Sequence, residues 1–114
     1  MEAQELVAYA LGKPGAWQDE PWEGDTVAKV GPKIFVFLGR AGIGVKCGRT
    51  REEADEWLHR FPQDAAVMAY IGRYGWNTLT VGGAIPDGEL RDAIDASYDA
   101  VVAALPRKDR PGAS

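Results

Sequence analysis

Three features of this 114-residue sequence predict an α+β fold in which helices lie on one face of an antiparallel meander sheet. First, the elements run helix, three strands, helix, one or two strands, helix. Second, turn residues join the strands, and such short loops fit antiparallel neighbours rather than helical crossovers. Third, Leu90, Ile94, Tyr98, Val101 and Leu105 line one face of the last helix at spacings of 4, 4, 3 and 4. Such a face needs an apolar surface to lie on, so the helix packs on the sheet in a two-layer arrangement.

Ala3, Leu6, Val7, Ala10 and Leu11 put an apolar stripe on a first helix, which Gly12 and Pro14 end. Residues 16–25 are acidic, aromatic and turn-rich, and read as a short strand with a loop. Residues 26–30 alternate as a strand, Gly31-Pro32 is turn chemistry, and residues 33–38 are the strongest strand signal in the chain. After a second turn at residues 39–42, Ile43, Val45 and Cys47 alternate in a third strand. Thr50-Arg51-Glu52-Glu53 has the form of a capping box, with the Thr50 hydroxyl accepting from the Glu53 amide and Glu53 reaching back to the Thr50 amide. Ala54, Trp57, Leu58 and Phe61 form the apolar face of the helix that follows, and Pro62 stops it. Residues 67–70 fit either a short strand or one helical turn. Residues 76–81 alternate as a strand, and Gly82-Gly83 break it. Pro86 opens the last helix, with Asp87 and Glu89 in its first turn, and Pro106 ends it. Residues 1–106 thus form one domain, and residues 107–114 a polar tail expected to fray.

Composition narrows the function classes. An apolar share of 46% with four Trp, four Tyr and three Phe describes a folded globule. The longest apolar run, residues 34–38, is strand-sized, and the first residues lack the basic and apolar regions of a signal peptide. A lone cysteine, Cys47, makes no internal disulfide, and a cytoplasmic location is expected.

Catalytic and metal chemistry find little support. The two serines, Ser97 and Ser114, lie mid-helix and at the C-terminus, and the one histidine, His59, follows Leu58 on a helix. One Cys and one His do not build a zinc site. Asp19, Glu20, Glu23 and Asp25 lack the spacing of a calcium loop and read as a solvated acidic segment. No glycine-rich phosphate loop is present. The expectation is a non-enzyme that needs no metal and no cofactor.

Charge is segregated. Between Thr26 and Arg51 stand Lys29, Lys33, Arg40, Lys46, Arg49 and Arg51 with no acidic residue, although the whole chain carries 17 Asp+Glu against 13 Lys+Arg. These cations fall on strands and turns, where they either face an anion or keep a strand-rich surface soluble. Trp76, which begins a strand just after Arg73-Tyr74-Gly75, is placed either to stack on a base or planar ligand or to anchor the strand in the core.

Several short motifs, in this order and spacing, resemble the MmcQ/YjbR family of small bacterial proteins. They are Lys13-Pro14-Gly15-Ala16, Lys29-Val30, Val45-Lys46, Trp76-Asn77-Thr78, Ile85-Pro86-Asp87, Asp95-Ala96-Ser97-Tyr98, Val101-Val102 and Leu105-Pro106. The resemblance covers nearly the whole chain. It implies a CyaY-like α+β fold, no established catalytic activity, and a "double wing" mode in which sheet loops contact duplex DNA. Some relatives belong to antibiotic gene clusters, which implies a small-molecule role as a second option. In one respect the chain departs from the family: the segment before Trp76 is commonly rich in His, Asn and Lys, whereas here Arg73 is its only cation.

The resulting expectation is a non-enzymatic, cytoplasmic protein that binds duplex DNA weakly and in a salt-sensitive way. Lys29, Lys33, Arg40, Lys46, Arg49, Arg51 and Arg73 would contact phosphates, and Trp76 and Asn77 would contact bases or a groove. The alternative is a module for an aromatic small molecule or a protein partner, using an exposed sheet face with Phe35, Phe37 or Trp76. A basic strip favours the first and an aromatic cleft the second.

Overall fold

In the computed structural model, which describes residues 3–23, 25–39 and 42–111, helix α1 spans Ala3–Leu11. It buries Leu6 and Ala10, one turn apart on the stripe read from the sequence. Four strands follow in a meander: β1 (Ala16–Trp22), β2 (Asp25–Val30), β3 (Lys33–Leu38) and β4 (Gly42–Lys46). Helix α2 (Arg51–Arg60) leads into β5 (Ala65–Val67), a 3-10 turn at Gly72–Tyr74, and β6 (Trp76–Thr80). Helix α3 (Asp87–Ala104) closes the domain, and a second 3-10 turn occupies Arg107–Asp109. The six strands form one antiparallel sheet in the order β1-β2-β3-β4-β6-β5. The α+β class and the helices on one face are as the sequence indicates. The acidic stretch at residues 16–22 is a full edge strand, and the ambiguous segment is a strand only as far as Val67.

Helix α3 lies on the centre of the sheet and buries Leu90, Ala93, Ile94, Ser97, Tyr98 and Val101. They meet Ala28, Val30, Phe35, Val36, Ile43, Val45 and Leu79 in one apolar core. Helix α2 joins the same layer through fully buried Ala54, whose carbonyl accepts from the Asn77 Nδ2 at 2.9 Å. Arg110 donates to the carbonyls of Leu105 and Ala103, both at 3.0 Å, so the chain turns back on the end of α3.

A bulge in β3 decides what each face carries. Ala28 pairs with Val36 and Lys29 with Ile34, so Phe35 is an extra residue with no partner on β2. Phe35 and Val36 are therefore both buried on the helix side, while Ile34 and Phe37 turn to the other face. Phe35 meets the Tyr98 ring edge-on at 5.1 Å, and Phe37 meets Trp76 at 5.8 Å. The extra residue leaves polar groups for another partner. The Ser97 hydroxyl donates to the Phe35 carbonyl at 2.6 Å and accepts from the Lys46 amide at 2.9 Å. A serine in mid-helix is thus a structural bridge between α3 and the sheet.

Candidate functional site

The face of the sheet opposite the helices is aromatic. The β1–β2 register puts Trp17 beside Lys29 and Asp19 beside Val27, and β2 continues to Phe37 through the Val27–Phe37 pair. Trp76 stands across from Lys46 on the same side. The segment after β5 folds back over this face because Gly44 leaves room for it. A Cβ on Gly44 would stand 2.9 Å from the Met68 sulfur. Between this segment and β1 a groove remains. One part, of about 560 Å³, is lined by Trp22, Phe37, Met68, Ala69, Tyr70 and Ile71. A second part, of about 440 Å³, shares Trp22, Phe37 and Ile71 and continues to Ile34, Trp76 and Lys33. Volumes of this size suit a small organic ligand.

Its rim is solvent-facing. Trp22 is 56% exposed and Tyr70 is 97% exposed. Tyr70 also has φ 64°, the left-handed region that non-glycine residues occupy at a cost. Ile71, next to it, is fixed from behind by Arg51. The guanidinium donates through Nη1 to the carbonyls of Gly72 at 2.7 Å and Trp76 at 3.0 Å, and through Nε to Asp55 at 2.8 Å. Its Nη2 donates to the Asn77 Oδ1. The 3-10 turn that follows Ile71 is thereby tied to both α2 and β6. Gly75 closes it at φ 93°, and a Cβ there would lie 2.1 Å from the Gly48 carbonyl oxygen.

Among the described residues, several of the basic side chains are already engaged within the fold. The Lys29 Nζ pairs with the Asp19 Oδ2 at 2.8 Å and lies over the Trp17 ring. The Lys46 Nζ donates to the Tyr74 carbonyl at 2.8 Å. Arg51 is consumed in the network just described. Arg49 is 88% exposed and stands 3.7 Å from Glu53, and Arg73 lies over the Tyr74 ring and donates to its hydroxyl. Lys33 is exposed and has no ion-pair partner among the described residues. Arg40 lies outside the described residues. Two expectations need correction. Asn77, assigned to a groove contact, is fully buried and holds Arg51 and Ala54 together. Phe35, assigned to an exposed sheet face, is fully buried against α3 because of the bulge.

Two further sites of interest proved structural. Asp95 on α3 accepts from the Tyr9 hydroxyl at 2.6 Å and from the Lys13 Nζ at 2.8 Å, which clasps α1 to α3. Burial pushes the Asp95 carboxyl up, but the Lys13 and Tyr9 hydrogen bonds together outweigh it and hold its pKa below the ordinary value. The hydrogen bond to Asp95 in turn raises the Lys13 pKa. This clasp went unread in the sequence as a contact, although Lys13 and Asp95 both stood in motifs that drew attention. Cys47 is half-buried, and burial pushes its thiol up to about 11, which disfavours the thiolate a nucleophile needs. The capping box is shifted by one residue. Thr50 accepts from the Glu53 amide at 3.2 Å as read, while Glu53 accepts from the Arg49 amide at 3.0 Å.

No helix among the described residues is long and apolar enough to cross a membrane. A family model described as YjbR matches residues 11–100. Two curated relatives, each an uncharacterised protein YjbR, come from Escherichia coli strain K12 and from O157:H7. Both are 29% identical over 116 residues, covering 96% of this chain and 95% of theirs. The crystal structure of Deinococcus radiodurans protein DR2400, a DUF419 domain, superposes with a TM-score of 0.83 at 20% identity, covering 99% of this chain and 94% of that one. That likeness establishes the fold. With the motifs from Lys13 to Pro106 in their expected order and a family model spanning most of its length, the chain belongs to the MmcQ/YjbR family.

Proposed function

We propose that this protein is a non-enzymatic binding module that takes up a flat, largely apolar small molecule on the helix-free face of its sheet. The observation that carries the reading is the groove itself, where Trp22, Phe37, Met68, Ile71 and Trp76 gather on a face that no helix covers. Apolar side chains left together in water are costly unless something occupies them, and rings at a groove mouth offer planar contact to a planar guest. Titration with the neutral fluorophore N-phenyl-1-naphthylamine tests this. Saturable binding is expected, and Trp22→Ala should weaken it by about tenfold, a loss typical of removing one stacked ring. Trp22 is exposed, so the variant keeps its fold. Absence of saturable binding, or an unchanged affinity in Trp22→Ala, would refute the proposal.

Duplex DNA is the second reading, favoured by the solvent-facing cations Lys33, Arg49 and Arg73. Lys29 and Arg51 already have internal partners, so few charges are left for phosphates. Each neutralised phosphate contributes about 0.9 to the slope of log affinity against log salt, and three cations give a slope of about −3. A steeper slope, of about −6, would require the internally paired cations to be released.

A further inference from the structure

Resting on the groove reading above, we propose that Tyr70 is a lid, whose ring folds over a bound planar molecule and holds it against Trp22 on the opposite lip. The observation behind this is an aromatic side chain at the groove mouth that stands almost wholly in water. Tyr70 lines the larger part of the groove, yet it is 97% exposed. Its backbone is held in an unfavourable conformation. The Ile71 amide donates to the Ala69 carbonyl at 2.7 Å, two residues back, with Tyr70 between them at φ 64°. This is a γ-turn of the rare, strained hand, in a region of φ that glycine enters freely. Tyrosine there carries strain and gains little buried contact in return.

The residues on both sides are anchored, which leaves the hinge to Ala69 and Tyr70. The Met68 amide donates to the Trp76 carbonyl at 3.2 Å, and the Met68 side chain sits in the space that Gly44 leaves. The Tyr74 amide donates to the Ile71 carbonyl at 3.0 Å, and Arg51 holds the Gly72 carbonyl at 2.7 Å. The opposite lip is a strand, with Trp22 set by the pairing of its backbone with Asp25 on β2. A guest that offers a ring face to Tyr70 gives the closed form contacts that the open form lacks, and only such a difference shifts the balance between them. Closure also releases the turn, since a tyrosine outside the left-handed region is unstrained. Trp22 then covers one face of the guest and Tyr70 the other, which suits a planar ring system and not a branched aliphatic one.

N-phenyl-1-naphthylamine serves as the probe. Its release, followed by stopped-flow fluorescence, should be about tenfold faster from Tyr70→Ala than from the wild type, the loss of one stacked ring. Tyr70→Phe keeps the ring and should match the wild type. Tyr70 is exposed, so neither substitution disturbs the fold. A fixed wall would also lose affinity on truncation, so a second measurement reads the turn itself. Backbone chemical shifts and couplings from NMR of the wild-type chain should give a positive φ at Tyr70 without probe and a negative one at saturation. Unchanged release from Tyr70→Ala, or a φ that stays positive in the saturated protein, would overturn the lid while the groove reading stands. If the probe does not bind the wild type, both fall.

Discussion

Arg51 is the residue for which charge counting and geometry disagree most, and its removal separates the two. As a phosphate contact it would be dispensable for folding. In the structure its guanidinium reaches the carbonyls of Gly72 and Trp76, the Asp55 carboxylate and the buried Asn77 side chain. Arg51→Ala strips donors from two backbone carbonyls, at about 1 kcal/mol each, and leaves the Asn77 oxygen unpaired, at about 1 kcal/mol more. The Asp55 pair adds little, because that carboxylate is 41% exposed and solvent replaces the arginine. The total is about 3 kcal/mol, which in a domain of this size lowers Tm by about 12 °C. Urea denaturation followed by circular dichroism should show a lower midpoint with an unchanged m-value. Arg49→Ala is the matched control. That side chain is 88% exposed, its pair is loose, and its removal should cost less than about 0.5 kcal/mol. A loss below about 1 kcal/mol in Arg51→Ala would show that the network is ornamental and would return Arg51 to the surface.

Three further outcomes follow from the core and its clasps. Ile94 is fully buried on α3, so Ile94→Ala should cost about 2–5 kcal/mol by chemical denaturation, and a neutral result would mean that α3 does not seat on the sheet as described. Gly75→Ala must move backbone, because its Cβ meets the Gly48 carbonyl at 2.1 Å with φ at 93°. A loss of at least about 3 kcal/mol is expected in thermal melts, and an unshifted melt would contradict the turn. Asp95→Asn should cost about 0.5–1 kcal/mol at neutral pH, the scale of a part-exposed ion pair. Because the folded-state pKa of Asp95 is lowered, its contribution is complete above the unfolded-state pKa and disappears as pH falls through the folded one. The wild-type and variant stability curves should therefore converge in acid, and a gap that persists there would mean the clasp is not electrostatic.

What the sequence made legible depended on whether a residue's partner lies along the chain or across it. The α3 face, the Thr50 hydroxyl that accepts from the Glu53 amide and the three central strands come from patterns within single segments, and they stand as read. Strand β1 was under-read because its polar residues and Pro21 hide an alternation that only an edge strand tolerates. The bulge at Phe35 cannot be seen in β3 alone, since it is a mismatch between two strands. It nonetheless decides that Phe37, and not Phe35, reaches the groove. The aromatic face is anticipated through Phe37 and Trp76, whereas Trp22, Tyr70 and Ile71 carry no signal along the chain that places them on it. Their nearness to Phe37 exists only after β5 pairs with β6 and the chain folds back.

The same distinction explains why a basic segment need not make a basic surface. Six cations within 26 residues form a strong signal along the chain, yet the antiparallel register sets Asp19 on the same face as Lys29, and the turn of α2 sets Asp55 against Arg51. Strand pairing thus matches Lys29 to an acid from another segment, while Arg51 is matched within its own helix. The apolar half of the site arises by a parallel route. Val27 is fully buried although it lies outside the main core, which means that the helix-free face has a small apolar layer of its own. Gly44 admits Met68 to cover part of that layer, and β1 covers part from the other side. The strip between them stays open and is floored by aromatic rings. A sheet with helices on both faces would have sealed it; helices on one face alone leave it open.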